Sequence, residues 1–530
     1  MTRRRRFWLW ILGGAGGVFL LLLIAGIIFG NRLEPIARDR LVEYLSERFQ
    51  SDIELRELNL RLFPRVSVTG KGLKFRWKKR TDIPPMVELG EFSFNMSYQD
   101  MVAPTKHISL VKLKDFQLNM PPKENQVREA KPGERVLAVA PETDPLPEDT
   151  KPGSVVVDQL IADRTILRIL PRDPEKPAAT FELYELRLLG VGAGRPMTYR
   201  TRMKNYKPPG MIDCAGQFGP WVASEPGASP VSGDYDFKQA DLGVFKGIAG
   251  ILDAKGKFSG QLQSMDVNGE ANVPDFRLNF AGNKVPLVTK YHAVVDGTSG
   301  NTFLKRVDAT LGKTPMVVSG DIAGEKDVKG KEIELDAVIH NGRLEDVLQL
   351  AVKGGSPMRG GISLKSKILI PRGDVDVIEK IGLRGNFRMS GVRFTNPDIQ
   401  SKIDEFSRRA SRQDHEEALN QARSTFDSGF VVRNSVIRVS NFRYGVPGVE
   451  VDLNGTYGMQ SEELDFAGVL RLDAKVSQMF TGIKSVALKA FDPLVSRKNK
   501  GTVVSITIGG TRQHPKYGLD FGRTLKKKDQ

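Results

Sequence analysis

The sequence predicts a mainly β protein hung from one N-terminal transmembrane helix, and three features carry that prediction. An uncharged apolar run extends from Phe7 to Phe29, behind four arginines, Arg3, Arg4, Arg5 and Arg6. From Ile53 onward, apolar and polar residues alternate with period two almost to the C-terminus. A proline-rich stretch, residues 121–153, interrupts the alternation.

The apolar run comes first. At a rise of ~1.5 Å per residue it forms a helix ~34 Å long, enough to cross a ~30 Å hydrocarbon core. Basic residues ahead of a span stay cytoplasmic, so the body is expected on the far side of the membrane. A secretory signal peptide has an apolar core of only ~7–15 residues. No small-x-small cleavage pattern precedes Asn31 and Arg32. Retention as an anchor is therefore expected. Gly13 and Gly17 have the spacing of a helix-pairing face, a weak signal because glycine is common in membrane helices.

After the span, Glu34 to Phe49 reads as a short helix, with Ala37, Leu41, Leu45 and Phe49 forming one apolar stripe. The period then changes to two. Ile53/Leu55, Leu58/Leu60/Leu62 and Val66/Val68 alternate with polar residues, followed by Leu73/Phe75/Trp77 and Phe92/Phe94/Met96/Tyr98. Ile108/Leu110, Leu113 and Phe116/Leu118/Met120 continue the pattern. Such alternation gives each strand one apolar and one wet face, as in antiparallel sheets covered on one side. Elevated glycine (53) and proline (30) suit many strands joined by turns. Roughly 20 to 25 strands are expected.

The linker carries seven prolines, at 121, 122, 132, 141, 145, 147 and 152, mixed with Glu, Lys and Asp. That composition predicts a flexible excursion from the sheet. Strand patterns resume at Val155/Val157. A faint repeat follows: Val318-Ser319-Gly320-Asp321 leads to a strand and then a helix at Arg343 to Leu350. Leu453-Asn454-Gly455-Thr456 and Val231-Ser232-Gly233-Asp234 open similar units. Asn396 and Pro397 start a longer helical insertion that Gly429 can stop, with Ile399, Ile403, Phe406 and Ala410 as its stripe, resumed by Leu419, Ala422 and Phe426. Its polar middle, Ser411 to Glu417, leaves open a hairpin of two helices or one exposed helix, which could plug or cap an open end of the sheet or pack outside it.

The expected domains are 1–30 (Arg-rich start and anchor), 31–120 (juxtamembrane helix and first β segment), 121–153 (linker), 154–395 (central β repeats), 396–428 (helical insertion) and 429–530 (C-terminal β segment with basic tail). Period two leaves two arrangements open: a closed sandwich, or a curved sheet with one apolar face uncovered.

Composition excludes several function classes. The net charge is +16, but Arg3, Arg4, Arg5 and Arg6 with Arg523, Lys526, Lys527 and Lys528 hold eight of the positive charges at the two ends. No basic helix or aromatic–basic nucleic-acid motif appears, so no nucleic-acid partner is expected. A basic surface beside a bilayer suits anionic headgroups. The single cysteine, Cys214, can form no internal disulfide and no thiol metal site. His107, His292, His340, His415 and His514 stand alone, without metal-like spacing. Gly312-Lys313-Thr314 resembles the end of a phosphate loop, but Val307 stands where its first glycine belongs. No GxSxG element is present. Catalytic residues, metal and cofactors are all read as none, and the chain as not an enzyme.

Three segments resemble the AsmA-like proteins of Gram-negative envelopes, relatives of TamB and other repeating β-groove proteins. The first is the anchor and short helix followed by Phe63-Pro64-Arg65-Val66-Ser67-Val68-Thr69-Gly70. The second is Phe394-Thr395-Asn396-Pro397-Asp398-Ile399-Gln400 with Lys402-Ile403-Asp404-Glu405-Phe406-Ser407. The third is Phe491-Asp492-Pro493-Leu494, then Gly501 to Thr511 and His514 to Asp520. Residues 121–300 match only in general character. The resemblance implies an elongated, mostly antiparallel curved sheet (a β-groove) with a few short helices. It also implies an inner-membrane anchor, a periplasmic body and a role in outer-membrane biogenesis. Phospholipids, the inner membrane and other envelope-assembly proteins are the implied partners. Groove candidates are Leu58, Leu60, Leu62, Phe92, Phe94, Met96, Phe116 and Leu118. The alternative is a non-enzymatic scaffold for outer-membrane protein assembly that carries no lipid.

Overall fold

A computed structural model of the chain describes residues 38–40, 42–43, 46, 52–61, 65–76, 80–103, 105–120, 155–171, 177–192, 194–222, 225–324, 330–373, 375, 377–411, 422–474 and 502–520. The fold is mainly β, with 24 strands among the described residues. It divides into two compact units, Met1–Lys238 with Gly256–Met265, and Gln239–Lys255 with Asp266–Gln530. No helix among the described residues is long and apolar enough to cross a membrane. The expected anchor lies outside them: Arg3, Arg4, Arg5 and Arg6 ahead of the span, and Phe7 and Phe29 at its two ends.

The first unit holds β1 (Asp52–Arg61), β2 (Val66–Arg76), β3 (Val87–Met96), β4 (Lys106–Met120), β5 (Val155–Ile169), β6 (Ala179–Gly192), β7 (Met197–Lys204), β8 (Met211–Phe218) and, to Lys238, β9 (Pro230–Asp241). Successive strands pair antiparallel with one exception: β4 and β5 run parallel. A parallel neighbour requires the chain to return along the whole strand before pairing again. The 15 residues of β4 span roughly 50 Å. Residues 121–154, between the two strands, lie outside the described residues.

One irregularity crosses the first six strands. Arg56, Gly72, Gly90, Asp115, Arg164 and Tyr184 drop out of the ladder side by side, while the pairs on either side keep their register. Gly72, Asp115 and Arg164 take left-handed backbone there, at φ of 67°, 52° and 53°. Each strand's alternation changes phase at this line. Leu113 and Phe116 therefore share a face although their spacing is odd, and both join one cluster with Leu89.

The second unit holds β10 (Ile248–Ala249) and most of β12 (Ser264–Leu278), with β11 (Ile251–Gln261) divided at Lys255. Then follow β13 (Val285–Val295), β14 (Thr302–Leu311), β15 (Thr314–Gly324), β16 (Lys331–Arg343), β17 (Met358–Ile370), β18 (Gly382–Phe394), β19 (Ser424–Arg433), β20 (Val436–Val446), β21 (Val449–Gly458), β22 (Leu464–Leu472), β23 (Thr502–Gly510) and β24 (Pro515–Asp520). From β13 to β24 every strand pairs antiparallel with the next.

Two helices dock on this sheet. Leu344–Ala351 is held by Asp346, which accepts from the Lys313 backbone N–H and from Thr314 Oγ1, both at 2.9 Å. The Gly312-Lys313-Thr314 turn is thus a helix-docking point. Pro397–Ala410 begins as its cap predicts, with Asn396 Oδ1 accepting from the N–H groups of Asp398 (2.9 Å) and Ile399 (3.2 Å). It ends at Ala410, earlier than 428. Ser424–Arg433 is strand, because Phe426 and Phe430 alternate onto the apolar face opposite Met389 and Gly385; Gly429 is a strand residue there and not a helix stop. The buried side of this helix matches its apolar stripe only in part. Ala410 is buried and Ile403 packs in the same cluster, whereas Ile399 and Phe406 are exposed and Gln400 and Ser407 are buried instead. Hydrogen bonds explain the exchange: Gln400 Nε2 donates to the Ala422 carbonyl (3.0 Å), and Ser407 Oγ to the Pro447 carbonyl (2.7 Å).

Candidate functional site

Cross-strand register sorts side chains into rows, and the two faces of the sheet differ sharply. In the first unit one row runs Leu60–Val68–Phe94–Val111–Leu160–Leu188–Tyr199–Gly216–Gly233 from β1 to β9. Beside it runs Leu58–Gly70–Phe92–Leu113–Ala162–Leu186–Thr201–Cys214–Tyr235. In the second unit a row runs Val307–Val318–Ala337–Ser366–Gly385–Phe430–Val439–Gly455–Phe466–Ile508. Among the described residues, these rows contain no Lys, Arg, Asp, Glu or His.

The opposite face is its converse. Glu57–Lys71–Glu91–Lys114–Asp163–Glu185–Arg202–Asp213–Asp236 form one row of charges across all nine strands of the first unit. Opposite charges within it meet at 3.5 Å (Lys71–Glu57), 3.6 Å (Lys114–Glu91) and 3.6 Å (Arg202–Asp213). In the second unit Arg388 pairs with Asp427 (2.7 Å) and Arg443 with Glu450 (3.2 Å) and Asp452 (3.3 Å). Each sheet therefore has one water-facing side laced by ion pairs and one uncharged side.

The uncharged side is open. Within each unit the described strands touch their neighbours in the sheet, and no second sheet closes over them. Most row residues beyond the margins, Phe92, Phe94, Leu160, Leu188, Leu364, Phe387 and Phe430 among them, stay half-buried. The helices that reach this side pack near strand ends. Leu344 packs with Ile339, Ile362 and Val392, and Ala410 with Val446, Val449 and Leu472. A helical residue, Val42, joins Leu55, Leu58, Val66 and Val68. The sandwich left open by the alternation is not what the strands form.

The groove candidates fall together on this side. Leu58 and Leu60 pack with Phe92, Phe94 and Met96, and Phe116 joins the next cluster around Leu113. Leu118 pairs with Val87 and Leu167 in the adjoining row. Phe92 and Phe94 stack at 6.5 Å with an 11° angle between rings. Leu62 lies outside the described residues.

Two groupings escaped sequence reading because their members lie far apart in the chain. On the charged side, His292 Nε2 lies 2.8 Å from Asp266 Oδ2 and 3.2 Å from Lys305 Nζ, and Lys305 donates to Asp266 at 2.8 Å. The Lys305 ammonium, and secondarily His292, hold the Asp266 carboxyl below its ordinary range. On the apolar side, Tyr199 donates to the Ser232 carbonyl (3.2 Å) and lies 3.4 Å from Cys214 Sγ. Burial pushes both the Tyr199 phenol and the Cys214 thiol upward, so both stay neutral at physiological pH. Among the described residues no three metal-ligating side chains converge. No family model, curated protein or solved structure matches the chain.

Proposed function

We propose that the chain binds phospholipid acyl chains along the uncharged side of its sheets, as a membrane-anchored periplasmic protein of outer-membrane biogenesis akin to the AsmA-like proteins. The reading rests on one observation: an uncovered sheet face whose rows carry no charge across successive strands. Each CH₂ withdrawn from water contributes about 0.8 kcal/mol, so a lipid tail is held by many non-directional contacts and needs no polar constellation. A charged headgroup finds no counter-charge on that side and stays in water. The role is binding or transfer, without a chemical step.

The test is to purify the full chain in mild detergent, extract it and identify bound lipid by mass spectrometry. Photocrosslinking residues at Phe92, Phe94 and Met96 are expected to yield lipid adducts. Protein adducts at those positions, with no lipid recovered, would favour the scaffold reading.

A further inference from the structure

The uncharged side of the first unit changes character at β7. From β1 to β6 the two rows given above consist of Leu, Val, Phe, Ala and Gly, and the adjoining row carries Thr165; at β7 to β9 the two rows carry Tyr199, Thr201, Cys214 and Tyr235. Thr201, cross-strand neighbour of Leu186 and Cys214, is 8% exposed, and its hydroxyl has no hydrogen-bond partner. Thr165, opposite Leu183, is 3% exposed and in the same state.

A buried hydroxyl without a partner destabilises a fold, and valine has the same shape without that penalty. Valine is also favoured in strands, so the pleat does not call for threonine. Rotation about the threonine χ1 exchanges Oγ and methyl between staggered positions. Tyr199 is already committed to Ser232 and Cys214 and can supply only a neutral, polar wall. The donor that remains is one O–H in an uncharged setting, suited to a neutral acceptor such as a carbonyl.

We infer that Thr201, with Thr165 as a second donor, forms a station on the track that donates a hydrogen bond to the ester carbonyl of an acyl lipid, so that ester-linked chains are preferred over ether-linked ones. The station rests on the lipid-track reading, and the experiment separates the two. The full chain in detergent is incubated with vesicles of equimolar dipalmitoyl phosphatidylglycerol and its di-O-hexadecyl analogue, and retained lipid is quantified by mass spectrometry. A single hydrogen bond predicts an ester:ether ratio of about five for the wild type. T201V is expected to bring the ratio toward one and to raise the thermal midpoint, because the orphaned hydroxyl is gone. The double variant T165V/T201V is the check if one hydroxyl replaces the other. A wild-type ratio of one, a ratio unchanged in both variants, or a lowered midpoint in T201V overturns the station while lipid binding stands. Retention of neither lipid overturns track and station together.

Discussion

The ring of Phe92 lies over Gly70, its cross-strand partner, in the space a side chain at position 70 would take. A methyl group there would overlap the ring. Glycine thus makes the floor of the row on which the Phe92–Phe94 stack rests.

Gly70→Val should displace Phe92 and cost about 1–3 kcal/mol of stability, the range for overpacking. Urea denaturation measures the loss. A photocrosslinker at Phe94 should then label lipid less efficiently than in the parent chain.

A charge set into an uncharged row should block the track. Leu160→Asp places an unpaired carboxylate between Val111 and Leu188. Lipid retention is expected to fall at least tenfold, read by mass spectrometry of the extracted protein. Glu91→Gln, on the other side of the same sheet, should leave retention unchanged.

The acid limb of stability should depend on Asp266. Its folded-state pKa is depressed, by Lys305 first and His292 second, below the ordinary 3.8. The group therefore stabilises the fold above its unfolded pKa, and the contribution is lost as pH falls through the folded value. D266N should lower the thermal midpoint at pH 7 and bring it closer to wild type in acid well below the ordinary 3.8. An equal deficit at both pH values would contradict the assignment.

Removing the Asp346 carboxylate should loosen the helix Leu344–Ala351. D346A leaves the Lys313 N–H and the Thr314 hydroxyl without their acceptor, and a loss of about 1–3 kcal/mol is expected. Hydrogen exchange should show faster opening of residues 344–351 than of β16 and β17.

The sequence made the strands legible because alternation needs only local information. Leu58 and Leu60, or Phe92, Phe94 and Met96, announce a shared face by spacing alone. Leu113 and Phe116 do not. Their odd spacing hides a common face; both lie in β4 and share a side only because Asp115 takes left-handed backbone between them. The parallel pairing of β4 with β5 was equally hidden, since hydropathy does not encode strand direction. The helix Pro397–Ala410 was legible at its start, where Asn396 and Pro397 act locally. Its buried side was legible only at Ile403 and Ala410, because hydrogen bonds from Gln400 and Ser407 to distant carbonyls bury those residues in place of Ile399 and Phe406. Asp266, His292 and Lys305 meet only through the register of three strands.

The line of displaced residues from Arg56 to Tyr184 limits how this chain can vary. Deleting Asp115 alone would keep Phe116, Leu118 and Met120 on the uncharged side but leave Gly90 of β3 and Arg164 of β5 with no residue opposite them, turning a matched irregularity into a one-sided bulge in each neighbour. No single deletion or insertion along that line can be neutral. The six irregularities can be gained or lost only as a set, so length changes in this chain should collect in its turns and leave these strands intact.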